Sequence, residues 1–417
     1  MLKTTAIGAL VLVLACSSIA ASFGAGVFVG RETDSEDEST ERTEIIEDAW
    51  EVVDEHYVQE EAIDEEQMLE GAIEGMLNTL GDEGHTRYLT PEEVIADEQS
   101  SSGVYVGVGI QVLQHDEGLT VVRVFPGGSA EEEGVQPGDI IIEVDGEDVT
   151  DLPQEEVVER IRGPENTEVS VTMRRPDTDE EITFEMERRE IEVSAVSSAM
   201  LEGNVALLKL DQFQARAADD LAAAMEEALA NDPEGVILDL RNNPGGFVSQ
   251  AEQIASMFVP ENSTIFIRET RDGGREEQVA EEPPARLPED IPLVVLTNEF
   301  TASASEIVSG AIQSAGTGTL VGEQTVGTGT VLRKFTLDDG SAIWLGVELW
   351  LTPDGDLIRD AGITPDIDVE LGEDQFPYEP SPLDGQNPPT DALDDDQLEF
   401  ALELILEGEV TADEEGD

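Results

Sequence analysis

Hydrophobic positions change their spacing three times along the chain. From Glu44 to Leu80 they recur every three or four residues: Ile45, Ile46, Trp50, Val53 and Tyr57, then Met68, Leu69, Ala72, Ile73, Met76 and Leu77. That spacing predicts two amphipathic helices. Gly81-Asp82 stops the second, and Thr90-Pro91-Glu92-Glu93 predicts an N-cap with proline in the first turn. His85 falls in the loop between them and reads as a polar loop residue. From about Gly103 to Glu190 the period drops to two. Val104, Val106, Val108 and Ile110 alternate; Val121, Val122 and Val124 form a second run; Ile140, Ile141, Ile142 and Val144 lead into an Asp145-Gly146 turn. One helical stretch, Glu155 to Ile161, precedes Val169, Val171, Met173 and a last strand near Ile182 to Met186. A small β domain with one main helix is expected.

From Val193 to Glu370 short, continuously apolar runs alternate with helical patterns. Strands are predicted at Val205 to Leu210, Val236 to Leu240, Leu293 to Leu296 and Thr319 to Val321, with further strands as far as Trp350. Helices are predicted at Asp219 to Ala230, Ser249 to Met257 and Ala304 to Ile312. Such alternation implies an α/β layer that presents ligands at strand ends. Beyond it lie a proline-rich linker, Pro377 to Pro389, a short amphipathic helix, Asp394 to Leu406, and an acidic end. The run Asp394 to Asp396 reads as a charge cluster at a helix start.

The first 30 residues stand apart. Thr4 to Gly30 carries no charge, and as a helix it would span roughly 40 Å, enough to cross a bilayer. An uncleaved anchor, a lipoprotein processing site at Val13-Leu14-Ala15-Cys16 and ordinary signal cleavage all remain open. Lys3 precedes this segment and an acidic stretch follows Arg31, which places the N-terminus inside and the remainder outside the cytoplasm. The chain thus divides into a signal-anchor segment (1–31), an acidic linker (32–43), a helical region (44–102), a β domain (103–190), an α/β core (191–370) and an acidic proline-rich tail (371–417).

Composition narrows the chemistry. The 417 residues hold 96 acids against 21 Lys plus Arg, a formal net charge of −75. That field excludes nucleic acid as a default partner and suits a protein kept soluble in concentrated salt. With one cysteine, an internal disulfide is impossible; with three histidines and one cysteine, a Cys/His zinc cluster has no ligands. Neither a metal nor a cofactor is expected.

Two loops at strand ends carry candidate chemistry. Asn242-Asn243-Pro244-Gly245-Gly246 leads from a buried strand to a helix, and its glycines let N–H groups face a phosphate or a developing oxyanion. Thr301-Ala302-Ser303-Ala304-Ser305-Glu306 also runs from strand to helix, with small residues around each serine.

The β region resembles a PDZ domain, through GVGI at Gly107 to Ile110 and GGSAEEEGVQPGDIIIEVDGEDV at Gly127 to Val149. The resemblance implies strand addition of a peptide, its terminal carboxylate captured by N–H groups at Gly107, Val108, Gly109 and Ile110. Taken with EGAIEGMLNTLGD, DLRNNPGG, FTASASEI, VGEQTVGTGT, WLTPDG and GITPDIDV, the chain from Ile45 to Asp368 resembles the carboxyl-terminal processing (tail-specific) protease family. That resemblance implies an α+β, α/β multidomain fold with N-terminal helices, a PDZ domain and a crotonase-like core. It also implies serine endopeptidase action on unstructured protein substrates recognised by their C-termini. By position, Ser303 matches the nucleophile, and Gly245, Gly246 and Ala304 match the oxyanion hole.

The match fails at the base. The family's lysine stands 25 residues after the nucleophile in a GKGT motif, and here that position is Thr328; the glutamine four residues later is Leu332. Threonine cannot accept a proton at neutral pH. Lys334 lies about 20 Å further along an extended strand, and Lys209 reads equally well as a strand-edge residue. Glu306 and Glu323 are nearer in sequence, and a triad would need His56, His85 or His115 brought to the core from outside it. Two readings therefore stand: an extracytoplasmic peptidase activated in an unfamiliar way, and a non-catalytic relative that binds protein C-termini or regulates an active partner.

Overall fold

The computed structural model describes residues 43–82, 85–115, 118–125, 127–150, 152–176, 178, 180–372, 375–380 and 394–408. The apolar N-terminal segment, most of the linker predicted at Pro377 to Pro389 and most of the acidic end lie outside these residues. Among the described residues, no helix is long and apolar enough to cross a membrane. The chain forms two compact units, 1–76 and 77–417.

In the first unit, residues 43–56 are helical, and Glu65–Asn78 begins a second helix that runs on past residue 76. Both predicted helices therefore form, yet Ile45, Ile46, Val53, Leu69 and Met76 remain exposed.

In the second unit, Thr90 caps the helix Pro91–Ser102: its hydroxyl accepts from the Glu93 N–H, and Glu93 accepts from the Thr90 N–H. The β domain follows as an antiparallel sheet in the order Ile110–His115, Gly118–Val124, Ile140–Val144, Glu168–Arg175, Glu180–Glu187. Alternate residues Val121, Ile141, Val144, Val169, Val171 and Met173 point inward and pack under Val157 and Ile161 of the helix Gln154–Ile161. A two-stranded ribbon, Val104–Gly107 with Arg189–Glu192, pairs the segments entering and leaving this domain.

The core sheet runs in the order Val196–Leu201, Val205–Leu210, Gly235–Asp239, Leu293–Thr297, Thr319–Gly322, Ile367–Asp368, with the first pair antiparallel and the rest parallel. Because side chains alternate across a strand, each continuous apolar run supplies two faces. Ala206, Leu208, Leu210, Val236, Leu238 and Val295 meet the helices Ala217–Leu229, Val248–Phe258 and Ala304–Ala315. Leu207, Ile237, Val294, Leu296 and Val321 face the other way, onto Leu398, Ala401 and Leu402 of the C-terminal helix Asp396–Glu407. A second sheet, not anticipated in its order, places Arg87–Leu89 and Thr330–Thr336 on Ala342–Leu351, which continues to Thr264–Thr270 and Arg275–Val279.

The aspartate run before the last helix does more than start it. Asp395 caps the helix through the Leu398 N–H, but both its oxygens also bind Arg241, at 2.7 and 2.8 Å. Arg241 belongs to the DLRNNPGG loop and has no exposed surface. Its remaining N–H groups go to Asp239, at 2.9 and 2.7 Å, and to Gln397 Oε1 at 3.1 Å, so all five donors are matched. Burial alone would raise Asp239, but the charge and hydrogen bonds of Arg241, helped by Lys209, outweigh it and hold the carboxyl below its ordinary range.

Lys209 corrects the strand-edge reading: it is 1% exposed, on the second strand of the core sheet, opposite Asp239 in the register. It faces the C-terminal segment and pairs with Glu379 at 2.6 Å. Burial pulls its pKa down, yet Asp239 and Glu379 more than offset this and leave it raised.

Three outcomes follow for stability. Leu398→Ala should cost about 2–5 kcal/mol in urea unfolding, as a large-to-small change at a site with no exposure. Asp395→Ala should cost about 3–5 kcal/mol by leaving Arg241 half-matched in the interior. In the wild type, Asp239 is depressed in the fold, so its contribution is fully present above about pH 4 and drains away as pH falls through the lower folded value. In Arg241→Met that acid-range loss should shrink, which unfolding titrated below pH 4 reads directly.

Candidate active site

Ser303 stands at the N-terminus of the buried helix Ala304–Ala315 with φ 58° and ψ −117°, a region that non-glycine residues avoid at a cost of about 1–3 kcal/mol. The surrounding contacts hold it there. Its N–H donates to Glu306 Oε2 at 2.8 Å, and the same oxygen accepts the Thr328 N–H at 2.9 Å. Glu306 Oε1 accepts the Thr325 hydroxyl and the Gly327 N–H, each at 2.6 Å. Glu306 has no exposed surface. One carboxylate thus fixes the backbone of the serine and the whole 325–328 loop beside it. With four donors already in place, Glu306 has no lone pair left for the Ser303 hydroxyl, which removes it as a base.

The glycine loop abuts this corner. A Cβ built on Gly245 would lie 2.6 Å from Ser303 Cβ and 2.9 Å from the Ala304 nitrogen, so only glycine, here at φ 98°, fits against the serine. The loop is pinned from several sides. Asn243 Nδ2 donates to the Leu210 carbonyl, the Ala302 N–H donates to the Asn243 carbonyl, and Asn242 and Asn298 exchange hydrogen bonds. The Gly245 N–H itself is taken by Asn243 Oδ1 at 2.9 Å. Gly245 therefore contributes space and not a donor. The Ala304 and Gly246 N–H groups make no hydrogen bond among the described residues. The Ala304 group also sits at the positive end of its helix.

The other predicted positions lie as follows. Thr328 is 2% exposed and its hydroxyl has no hydrogen-bond partner among the described residues. Leu332 is half-buried on Thr330–Thr336, opposite Gly346. Lys334, further along that strand, is paired with Glu98 at 2.7 Å. The Glu323 N–H bonds the Thr297 carbonyl, and its carboxyl is pushed up by burial and by Glu299. His56 is exposed beside Glu55 in the first unit, and the His115 side chain lies outside what is described. No group of His, Cys, Asp and Glu among the described residues is arranged to hold a metal.

A groove of about 480 Å³ lies in the β domain, between the strand Ile110–His115 and the helix Gln154–Ile161. Gly107, Val108, Gly109 and Ile110 line one side, Val158 and Ile161 the other. The Val108 and Gly109 N–H groups make no hydrogen bond among the described residues. Arg123, stacked 5.4 Å over the Phe125 ring, also lines it, as does Asp211 from the core. The groove mixes apolar side chains with polar ones and has free donors and arginines on its lining, which suits an extended peptide ending in a carboxylate.

Comparison with known proteins agrees with this architecture. Residues 204–369 match "Peptidase family S41", residues 94–174 match "PDZ domain" and residues 21–92 match "Activating protease CtpB N-terminal domain". The carboxyl-terminal-processing protease of Synechocystis is 38% identical over 321 residues, 76% of this chain and 74% of that one. The carboxy-terminal processing protease CtpA of Bacillus subtilis is 32% identical over 331 residues, 79% of this chain and 70% of its own. Among solved structures, a photosystem II D1 C-terminal processing protease is 26% identical, covering 78% of this chain and 93% of its own, with a TM-score of 0.44. The chain belongs to the carboxyl-terminal processing proteases of peptidase family S41, with a PDZ domain ahead of a mixed α/β protease core.

Proposed function

We propose that this protein is a serine endopeptidase that recognises unstructured protein C-termini through its PDZ groove and cuts them at Ser303, held on the outer face of a membrane by its N-terminal segment. The observation that carries the reading is the strained Ser303 backbone, fixed by Glu306 beside two unengaged N–H groups. Strain of this kind persists only where the surroundings over-determine it, and binding a peptide elsewhere does not require it. Ser303 Oγ attacks the scissile carbonyl, and the Ala304 and Gly246 N–H groups receive the oxyanion. Gly245 keeps the space between them clear. Thr328 and Leu332 take no part in proton transfer.

A second reading, a non-catalytic binder of protein C-termini, is favoured by the buried, unpartnered Thr328 hydroxyl where the family places its base.

Incubation of the full chain in high salt with an unstructured protein bearing an apolar C-terminus separates the two. Endoproteolytic cleavage that vanishes in Ser303→Ala is expected, and Gly245→Val should lower kcat by about a hundredfold or more by filling the oxyanion site. Binding with no cleavage would establish the second reading. In either case, replacing the peptide's C-terminal carboxylate with an amide should weaken binding by about tenfold, the worth of charge-assisted hydrogen bonds; equal affinities would remove carboxylate capture.

A further inference from the structure

Resting on that reading, we infer that His85, oriented by Asp82, is the general base for Ser303. The path from the serine to this pair is continuous. Glu306 Oε2 joins the Ser303 and Thr328 N–H groups, so the two backbones lie side by side. The next residue, Gly329, is pressed on Arg359: a Cβ there would fall 2.1 Å from the Arg359 nitrogen. Arg359 in turn places its guanidinium 3.2 Å from Asp82 Oδ1 and donates to the Gly81 carbonyl. From the other side, Thr86 Oγ1 donates to Asp82 Oδ2 at 2.5 Å and accepts the Gly346 N–H at 3.0 Å. Gly346 is the register partner of Leu332, and a Cβ on it would lie 3.1 Å from Asp82 Oδ2 and 3.5 Å from Thr330 Cβ. The Asp82 carboxylate therefore occupies space left by a missing side chain near Thr330, two residues beyond Thr328 and on the strand that carries Leu332.

His85 has what a base needs. Its Nδ1 is 3.5 Å from Asp82 Oδ1, a buried oxygen that makes no hydrogen bond among the described residues and is otherwise faced by the Arg359 guanidinium at 3.2 Å. A shift of a few tenths of an ångström completes an Nδ1–H···Oδ1 bond, and catalytic contacts are commonly looser before substrate binds. That bond fixes the tautomer, leaving Nε2 unprotonated and able to accept a proton. The side chain is 21% exposed. The alternatives are spent: Glu306 on four donors, Lys334 on Glu98, and Lys209 with Glu379 on the opposite side of the core sheet from the helix that Ser303 begins.

In the reaction, Ser303 Oγ bonds to the carbonyl carbon as its proton passes to His85 Nε2 and the carbonyl π pair moves to oxygen. As the C–N bond breaks, the imidazolium returns that proton to the leaving amine. Water then attacks the acyl-enzyme, giving a proton to Nε2; collapse of the second tetrahedral adduct breaks the C–Oγ bond and returns the proton to Ser303. Asp82 is a positioning residue throughout.

The test uses the full chain and a fluorophosphonate, which phosphonylates an activated serine with loss of fluoride and needs no knowledge of the substrate. Wild type should be labelled and Ser303→Ala should not. His85→Gln should slow labelling by at least about a hundredfold, while C-terminal peptide binding and thermal unfolding remain as in wild type. His85→Gly should be restored by added imidazole. Asp82→Asn should slow labelling without changing peptide affinity. Labelling of His85→Gln at the wild-type rate, or His85→Gly that binds peptide yet ignores imidazole, would overturn the role of His85 and leave the peptidase reading intact. Failure of wild type to label would overturn the peptidase reading itself.

Discussion

A guanidinium removed from water must have every N–H matched, and Arg241 meets that demand by drawing together parts of the chain more than 150 residues apart in sequence. Asp239 ends a core strand, Asp395 starts the last helix, and Arg241 opens the glycine loop between strand and helix. The helix closes the second face of the sheet, so the strands can be apolar on both sides. The loop then stands at a fixed height above the strand ends, where Asn243 and Gly245 meet Ser303. With Lys209 set against Asp239, the cluster balances two buried carboxylates with two cations. In a chain so rich in acid, these few cations stand where a carboxylate must be taken inside.

Glu306 plays the corresponding part for the nucleophile. Its four hydrogen bonds spend a buried charge on geometry and not on proton transfer, which explains how a carboxylate one helical turn from the serine is not its base. The same bonds bring the 325–328 loop to the serine whether residue 328 is a lysine or a threonine. The architecture of the site is therefore independent of the residue that activates it, and the base can change without rebuilding the corner.

Much of this was legible in the sequence because it depends on local periodicity. The run Val205 to Leu210 reads as a strand, and the Thr90-Pro91 signal reads as a helix start, since each rests on neighbours in the chain. Ser303, Gly245 and Gly246 announce themselves by small residues at a strand end. What the sequence hides is pairing at long range. Nothing near Asp395 says that it caps a helix and also clamps an arginine 154 residues away. Nothing near Lys209 distinguishes an edge from a centre, because a lysine set among leucines fits either until its partner strand is known. Gly245 looks like an oxyanion donor until Asn243, two residues back, is seen to occupy its N–H.

His85 shows the same limit from the other direction. In sequence it is a polar residue in a turn, 218 positions from the serine, with Asp82 and Glu83 both at hand and nothing to choose between them. In space, that aspartate lies in the gap above Gly346, tied by Thr86 to one strand of the second sheet and by Arg359 to the loop that ends at Thr328. A histidine makes this substitution feasible where other residues would not. Lysine must be desolvated to lose its proton near neutral pH, whereas imidazole is a base there without special burial and needs only an acceptor to set its tautomer. His85, 21% exposed, has the Asp82 oxygen 3.5 Å from its Nδ1 as that acceptor, an oxygen that also faces the Arg359 guanidinium, so the loss at Thr328 removes one route to an activated serine while the proposed one draws on a different part of the chain.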